Sequence, residues 1–370
     1  MLQTRILHIV PALFGEDGVY GGAERYALEL ARHMADETPT RLVTFADVPA
    51  RRDVGRLDIR SLGPAWRVRG QRFNPFHPAM VRHLGWADVV HCHQRAVVAS
   101  SFAAAFCRAT RRKVFVSDLG GGGWDISAYI RTDRWFHGHL HISEYSRSLG
   151  GHADWCRARV IHGGVDIDRF APDPAVPKEP LVVYAGRLMP HKGVNDLIEA
   201  LPDGLTLEVI GRPYDDRFFA DLKRLAAGKP VVFRLGCDDR ELVRAYRRAI
   251  GVVLPSVYRT MYGDETRVPE LLGQTLLEGM ACGTPAICTN VASMPEVVAD
   301  GETGFVVPPN DPAALRARLE WLRDHPEDVT RLGLAGRRRV LRAFTWPAVV
   351  GHCLDAYECH SLTGGTERCE

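Results

Sequence analysis

Short apolar segments alternate with helical patterns along the whole chain. In the first half, strands are predicted at 6–10, 41–45, 87–91, 113–117 and 160–161, and helices at 23–34 and 96–109. The strand segments are short and apolar, whereas the helical segments repeat their apolar positions every three or four residues. This alternation is typical of βα units built around a parallel sheet.

A second series of the same kind follows a proline-dense segment at 171–180, which we interpret as a domain linker. Strands are predicted at 181–184, 205–210, 231–234, 252–254 and 286–289, and helices at 194–200, 216–227, 240–249 and 346–357. Two further helices are predicted to begin near Gly273 and at Pro312. The sequence therefore predicts an α/β protein of two doubly wound, Rossmann-like domains. We expect them at 1–172 and 173–345, facing each other across a central cleft.

Composition narrows the class of protein. The chain has 370 residues, of which 46% are hydrophobic and 25% charged, as in ordinary globular proteins with room for two cores. Its first apolar segment is too short for a signal peptide or a membrane span. The nine cysteines are odd in number and form no CxxC pair, so we expect no disulfide framework and a cytoplasmic location.

Charge is unevenly distributed, although the formal net charge is only +2. The first half carries the basic excess, which would suit a phosphorylated or membrane-borne acceptor, although a solvated surface is the favoured explanation. No basic stripe with interleaved aromatic residues is present, and we expect no nucleic-acid partner.

Two carboxylates, Glu270 and Glu278, flank a helix that begins at a glycine and ends before Gly-Thr-Pro. Glu270 is expected in the loop before the helix and Glu278 about a turn and a half inside it. Helix N-termini favour anions, so the backbone N–H groups from Gly273 to Thr275 form a candidate phosphate site. The alternative is an ordinary surface helix with scattered acids.

The predicted strand at 181–184 leads directly into Gly186-Arg187 and, five residues later, Lys192-Gly193. A guanidinium and an ammonium at the end of such a strand suit a diphosphate, because they can stabilise charge that develops on a leaving phosphate. Two solvated loop cations are the alternative interpretation.

Three further segments carry candidate chemistry. Gly22 opens the first helix, where a glycine lets the backbone approach a ligand. His91 and His93 share one face of a predicted strand, but no carboxylate or second cysteine lies at ligand spacing, so we expect no metal there. Asp118 precedes a loop with four consecutive glycines.

The run from Glu270 to Pro285 resembles the E-x7-E signature of retaining GT-B glycosyltransferases of family 4, the glycosyl transferases group 1. The segment from Gly186 to Gly193 is similar to that family's G-R-x4-K-G motif. The predicted strand that ends at His93 is similar to the D-V-V-H-x-H strand of the same family. The resemblance implies that Arg187 and Lys192 hold the donor diphosphate, Glu270 the donor sugar and Glu278 the ribose hydroxyls. It further implies a donor site that includes Gly22, Gly186, Gly211, Gly273, Gln274, Thr275 and Leu276.

On the acceptor side the resemblance is looser. His93 is the cleft candidate, whereas His91 is expected to serve packing. Many relatives carry a histidine where this chain has Asp118 or Leu119, and Asp118 could contact a hydroxyl or an amino group of a sugar. The segment 257–269 is longer than in most relatives and is either a lid or a passive loop.

The resemblance implies retaining transfer from a nucleotide-hexose, UDP- or GDP-linked, to a hydroxyl acceptor in polysaccharide, glycolipid or natural-product synthesis. It implies no metal or other cofactor, peripheral membrane contact if the acceptor is lipid-linked, and a last helix that returns to the first domain. A non-catalytic sugar-nucleotide-binding protein and a GT-B epimerase or phosphorylase remain alternatives. A nicotinamide dehydrogenase is disfavoured because G-x-G-x-x-G is absent after the first strand.

Overall fold

Buried strands alternate with helices along the chain, as the sequence predicts. The computed structural model describes residues 4–11, 22–71, 73–120 and 123–359. The first elements are β1 (Ile6–Ile9), α1 (Gly22–Glu37), β2 (Thr40–Phe45), β3 (Ala50–Val54), β4 (Leu57–Leu62), β5 (Trp66–Arg67), β6 (Pro75–Phe76), α2 (Met80–Trp86), β7 (Val89–Cys92), α3 (Val98–Ala109), β8 (Lys113–Val116), β9 (Gly138–His141), α4 (Glu144–Leu149) and β10 (Ala158–Val160).

The second half continues the alternation. Its elements are β11 (Leu181–Ala185), α5 (Val194–Ala200), β12 (Thr206–Ile210), α6 (Asp216–Leu225), β13 (Val231–Arg234), α7 (Asp239–Arg248), β14 (Gly251–Leu254), α8 (Gln274–Ala281), β15 (Ala286–Thr289), α9 (Met294–Val297), β16 (Gly304–Val307), α10 (Pro312–Asp324), α11 (Pro326–Ala343) and α12 (Trp346–Cys359).

The first sheet has eight strands in the order β10-β9-β8-β7-β1-β2-β4-β3. All neighbours are parallel except β3 and β4, which form an antiparallel hairpin at one edge. Sequence reasoning missed β3 because its residues are exposed and polar, and an edge strand needs no apolar pattern. Strand order reverses between β1 and β7, as in a doubly wound sheet.

The second sheet has six parallel strands in the order β13-β12-β11-β14-β15-β16. Numbered within the sheet, this is the Rossmann order 3-2-1-4-5-6, which confirms the predicted fold class for this part of the chain. The order reverses between β11 and β14. Ligands of such sheets bind beyond the carboxyl ends of the strands at this reversal, so the loops after β11 and β14 are the place to look for a site.

The chain divides into two units. The first ends at Gly164 and resumes at Trp346, and the second runs from Val165 to Thr345. The change of unit thus falls at 164 rather than at the predicted 172. Residues just after 164 join the second unit because the Val165 N–H donates to the Phe344 carbonyl at 2.8 Å and Arg169 pairs with Asp239 at 2.6 Å.

The last helix, α12, packs within the first unit. Trp346 at its start is buried against Tyr26 of α1, with ring centroids 5.5 Å apart. Near its end, the Tyr357 hydroxyl lies 2.8 Å from Nδ1 of His91, and the Tyr357 carbonyl accepts a hydrogen bond from Lys113 at 2.6 Å. The chain therefore completes its first unit with its last helix.

No helix among the described residues is both long enough and apolar enough to cross a membrane. The eight cysteines within those residues are free thiols.

Candidate functional site

The loop after β11 carries both predicted cations of the second unit, in different environments. Arg187 is exposed, and it forms no ion pair with any residue that the structure describes. Lys192 ends a short 3-10 turn and is only 7% exposed. A buried ammonium needs acceptors, and its Nζ donates to Oε2 of Glu270 at 2.7 Å and to the Pro269 carbonyl at 3.0 Å.

Glu270 lies at the centre of this arrangement. Besides the ion pair with Lys192, its Oε1 accepts the Leu271 N–H at 3.2 Å. Burial raises the pKa of the Glu270 carboxyl. The Lys192 charge and hydrogen bonds from Lys192, Gly273 and Leu271 lower this pKa by more than burial raises it, so the pKa lies below the ordinary value of 4.5. Glu270 is therefore an ionised acceptor at neutral pH.

Helix α8 begins directly beside this carboxylate. Gly273 caps it in the left-handed region at φ 82°, a conformation that glycine adopts without strain. The side chains of Leu276, Leu277 and Met280 on α8 are buried. The first amides of a helix have no acceptor within it and carry partial positive charge, so the turn that starts at Gln274 and Thr275 is suited to an anion.

Glu278 lies in the second turn of α8 and is only 3% exposed. The Tyr246 hydroxyl of α7 donates to its Oε2 at 3.4 Å. Sequence reasoning did not identify Tyr246, whose position on the helical pattern indicated only core packing. The predicted contact of Glu278 with ribose hydroxyls stays a prediction.

The two strand-end glycines, Gly186 and Gly211, lie against each other. The Gly186 N–H donates to the Ile210 carbonyl at 2.9 Å, and the Gly211 N–H donates to the Arg234 carbonyl at 3.0 Å. A Cβ at Gly211 would overlap the Gly186 carbonyl oxygen. Glycine at 211 is thus required by the close approach of the loops after β11 and β12, and its contact with a donor remains a prediction.

The segment 257–269 is an ordered turn that is fixed to the second unit. The Thr266 N–H donates to the Tyr258 carbonyl and the Thr260 N–H to the Asp264 carbonyl, both at 2.8 Å. At the tip, the Tyr262 hydroxyl donates to Asp221 of α6 at 2.6 Å. At the base of this segment lies Pro269, whose carbonyl binds Lys192, so the turn and the cation are directly connected.

In the first unit, His93 follows β7 and is 4% exposed. Its Nε2 lies 2.8 Å from Nδ1 of His8. His91 has partners at both ring nitrogens, Ser117 at 2.9 Å and Tyr357 at 2.8 Å, as suits a packing role. Burial lowers the pKa of all three histidines, so they are neutral at physiological pH.

The other first-unit candidates are less constrained. Asp118 is exposed, and its carboxylate accepts the Gly120 N–H at 3.3 Å. Gly22 is the first residue of α1, and a Cβ there would meet no atom of the described residues within 4 Å. The loop before Gly22 and residues 121–122 of the glycine run lie outside the described residues. The roles predicted for Asp118, His93 and Gly22 therefore stay predictions.

Comparison with known proteins identifies the family. The model of the family "Glycosyl transferases group 1" matches residues 166–339. The chain is 31% identical over 264 residues to a GDP-mannose-dependent alpha-(1-6)-phosphatidylinositol monomannoside mannosyltransferase from Mycolicibacterium smegmatis. This alignment covers 65% of the chain and 68% of that relative.

Solved structures show the same fold. Sucrose-phosphate synthase from Thermosynechococcus elongatus superposes with a TM-score of 0.75 at 20% identity, covering 96% of this chain and 99% of that one. HepE from Anabaena, solved with UDP and glucose, superposes with a TM-score of 0.72 at 17% identity, covering 96% and 100%. These are GT-B proteins, and their fold agrees with the Rossmann-like sheets described above. The chain therefore belongs to the group 1 glycosyltransferase family and is an enzyme that transfers a sugar from a nucleotide-sugar donor.

Proposed function

We propose that this enzyme retains anomeric configuration and moves a hexose from a UDP- or GDP-linked donor to a hydroxyl acceptor. The observation that carries the proposal is the 2.7 Å ion pair between Lys192 and Glu270. It joins two motifs 78 positions apart in the chain, at the reversal of strand order and beside the N-terminus of α8. The donor range follows two similar proteins, one named for GDP-mannose and one solved with UDP and glucose.

The cations are proposed to bind the donor diphosphate. An ammonium has three N–H donors, and Lys192 uses two of them on protein acceptors, which leaves the third for a phosphate oxygen. Arg187 is exposed and can offer a bidentate guanidinium. Departure of the nucleoside diphosphate builds negative charge, and fixed cations with the α8 amides stabilise that charge in the transition state.

The carboxylates are proposed to orient the donor. Glu270 is ionised and can accept hydrogen bonds from sugar hydroxyls, and Glu278 is proposed to accept them from the ribose. In front-face displacement the bond from the anomeric carbon to the phosphate oxygen breaks while the bond to the acceptor oxygen forms on the same face. The acceptor proton passes to a donor phosphate oxygen, so no side chain is needed as a base. We propose that transfer needs no metal, because the two cations supply the positive charge.

The acceptor is proposed to bind the first unit, through the loop that opens at Gly22 and through His93 and Asp118. A neutral His93 can donate or accept a hydrogen bond to a hydroxyl, and an exposed Asp118 can accept one. The polysaccharide, glycolipid and natural-product acceptors all share this hydroxyl chemistry. A lipid-linked acceptor would bring the enzyme to a membrane surface, where the basic excess of the first half would favour anionic headgroups.

The experiment that tests the donor site compares Glu278→Gln with Glu327→Gln, an exposed acid at the start of α11. Binding of UDP, GDP and their hexose conjugates is measured by calorimetry. Loss of charge-assisted hydrogen bonds to the ribose costs about 1.5–3 kcal/mol, or roughly 10–100-fold in Kd, and is expected only for Glu278→Gln. Equal affinity in the wild type and Glu278→Gln would overturn the assignment, and an inverted anomeric centre in the product, read by NMR, would overturn retention.

A further inference from the structure

Three histidines outside the proposed donor site form a second buried cluster in the first unit. His139 and His141 lie on β9, where alternation places them on one face, and His152 follows α4. One nitrogen from each ring lies within 4.8 Å of the others, and all three residues are buried. The spacing H-x-H was visible in the sequence, but only the fold brings His152 to it.

Asp133 orients two of these rings. Its backbone carbonyl lies 3.1 Å from Nε2 of His139. Its carboxylate Oδ1, which pairs with Arg95 at 2.6 Å, also lies 3.5 Å from Nε2 of His152. A neutral imidazole has one N–H, so donating it to Asp133 from Nε2 leaves the Nδ1 lone pair on each ring. Metal-bound histidines usually have this arrangement, in which the second ring nitrogen donates to a carboxylate or a carbonyl.

The distance between two of the candidate ligand nitrogens is close to that expected around one ion. Nε2 of His141 lies 3.1 Å from Nδ1 of His152. Two nitrogens bound to the same tetrahedral zinc at about 2.0–2.1 Å lie about 3.3 Å apart.

The cluster is packed tightly and can be reached from solvent. A Cβ at Gly150 would come within 3.1 Å of Nδ1 of His152 and 3.3 Å of Cε1 of His141, so a side chain there would crowd both rings. His152 and Asp133 line a cavity of about 790 Å³ together with Trp155. The cavity gives His152 access to solvent, and its lining includes Arg131 and Arg134 but neither His139 nor His141.

The other histidine cluster of the first unit lacks these properties. In His8, His91 and His93, both ring nitrogens of His91 already have protein partners, the hydroxyls of Ser117 and Tyr357. An ion there would have to displace one of these hydrogen bonds to a hydroxyl, whereas an ion in the His139 cluster would displace only the hydrogen bond between His141 and His152, which are both candidate ligands.

We propose that His139 Nδ1, His141 Nε2 and His152 Nδ1 bind one divalent transition-metal ion of the zinc type, with Asp133 as the group that orients two of them. Imidazole is a preferred ligand of Zn²⁺, Co²⁺, Ni²⁺ and Cu²⁺. The ion would connect β9, the turn at Asp133–Trp135 and the loop before β10. It lies in the first unit and takes no part in donor binding, so the proposal stands independently of the proposed function.

The test uses full-length protein without a polyhistidine tag, stripped with a chelator and titrated with Co²⁺ and then Zn²⁺. The wild type is expected to bind one Co²⁺ per chain with the intense visible bands of a tetrahedral site, which Zn²⁺ then removes. His152→Gln is expected to abolish this binding, and Asp133→Asn to weaken it about 10–100-fold. His93→Gln, which alters the other histidine cluster, is the matched control and is expected to bind as the wild type does.

Circular dichroism confirms that each variant is folded before titration. Should His152→Gln fail to fold, His141→Gln takes its place. Three results would overturn the proposal: no stoichiometric Co²⁺ or Zn²⁺ binding by the wild type, unchanged binding by the folded ligand variant, or binding that is lost in folded His93→Gln.

Discussion

At the scale of single residues, the pair of Lys192 and Glu270 connects stability to chemistry. The side chain of Lys192 is 9% exposed and that of Glu270 is 18% exposed, and each charge is paired with the other. Removing one partner of a buried pair costs more than the pair itself contributes, because the other charge remains without compensation. The same residues that are proposed to hold the donor therefore also hold the loops after β11 and β14 together.

Lys192→Met is expected to lower the free energy of unfolding at neutral pH by about 2–3 kcal/mol, because it leaves Glu270 ionised and unpaired. The pKa of Glu270 is lowered in the folded wild type, so its stabilising contribution is full above the ordinary value of 4.5 and is lost as the pH falls through the lower folded value. The difference between variant and wild type should thus shrink below about pH 4.5. Urea denaturation across this pH range measures it.

Arg187→Met is the matched control. Arg187 is exposed, so its replacement should change the free energy of unfolding by no more than about 0.5 kcal/mol. Both variants should weaken nucleoside-diphosphate binding. If Lys192→Met were as stable as Arg187→Met at neutral pH, the ion pair would not have the structural role described here.

At the scale of elements, α8 depends on the backbone conformation of its cap. Gly273 is left-handed, and a Cβ there would lie 3.1 Å from Cδ1 of Leu276. Gly228, in the loop after α6, is also left-handed at φ 77°, but within the part of the chain that the structure describes a Cβ there would meet no atom within 4 Å. Comparing alanine substitutions at the two positions therefore distinguishes the stability cost of a left-handed residue from an effect on the N-terminus of α8.

Gly273→Ala and Gly228→Ala are both expected to lower the free energy of unfolding by about 1–2 kcal/mol, the cost of a left-handed residue with a Cβ. Only Gly273→Ala should also weaken binding of UDP or GDP, because it displaces the amides that α8 presents to the diphosphate. Thermal denaturation and calorimetry on the two variants check this. A parallel loss of affinity in Gly228→Ala would show that general destabilisation, and not the cap, is responsible.

Elements differ in how far the sequence predicted them. Strand β11 and helix α8 follow from apolar pattern and glycine position, and the structure confirms both. Strand β9 was missed, although all four of its residues are buried, because Gly138-His-Leu-His141 has few apolar side chains. Its histidines hydrogen-bond to Asp133, six residues before His139, and to His152, eleven residues after His141, and apolar periodicity does not encode such polar partners.

At the scale of the whole molecule, the chain returns from its second unit to complete its first. Trp346 is 3% exposed and packs on Tyr26, and a Cβ at Gly164 would overlap its indole ring. The same contact also marks the end of the first unit's main segment, at Gly164. The core of the first unit is therefore incomplete until residues at the end of the chain have been added.

Trp346→Ala is expected to destabilise the first unit by about 3–5 kcal/mol, since it leaves a large cavity between α1 and α12. Trp66→Ala removes a side chain of the same size that is 63% exposed, and should cost less than about 1 kcal/mol. Hydrogen exchange of α1 and β1 amides, measured by mass spectrometry, reports on the first unit alone. Equal protection in both variants would contradict a stabilising role for the returning helix.

What the sequence alone determined was local in origin. The alternation of apolar strands and amphipathic helices specifies a doubly wound α/β fold. The motifs that contain Arg187, Lys192, Glu270 and Glu278 resemble those of a family of nucleotide-sugar enzymes. What only the tertiary structure decided depends on distant contacts: the pairing of Lys192 with Glu270, the unit boundary at 164 and the meeting of His152 with His139 and His141. The physical reason is that periodicity records which side of an element is buried, whereas the partner of a buried polar group is set by how the chain packs.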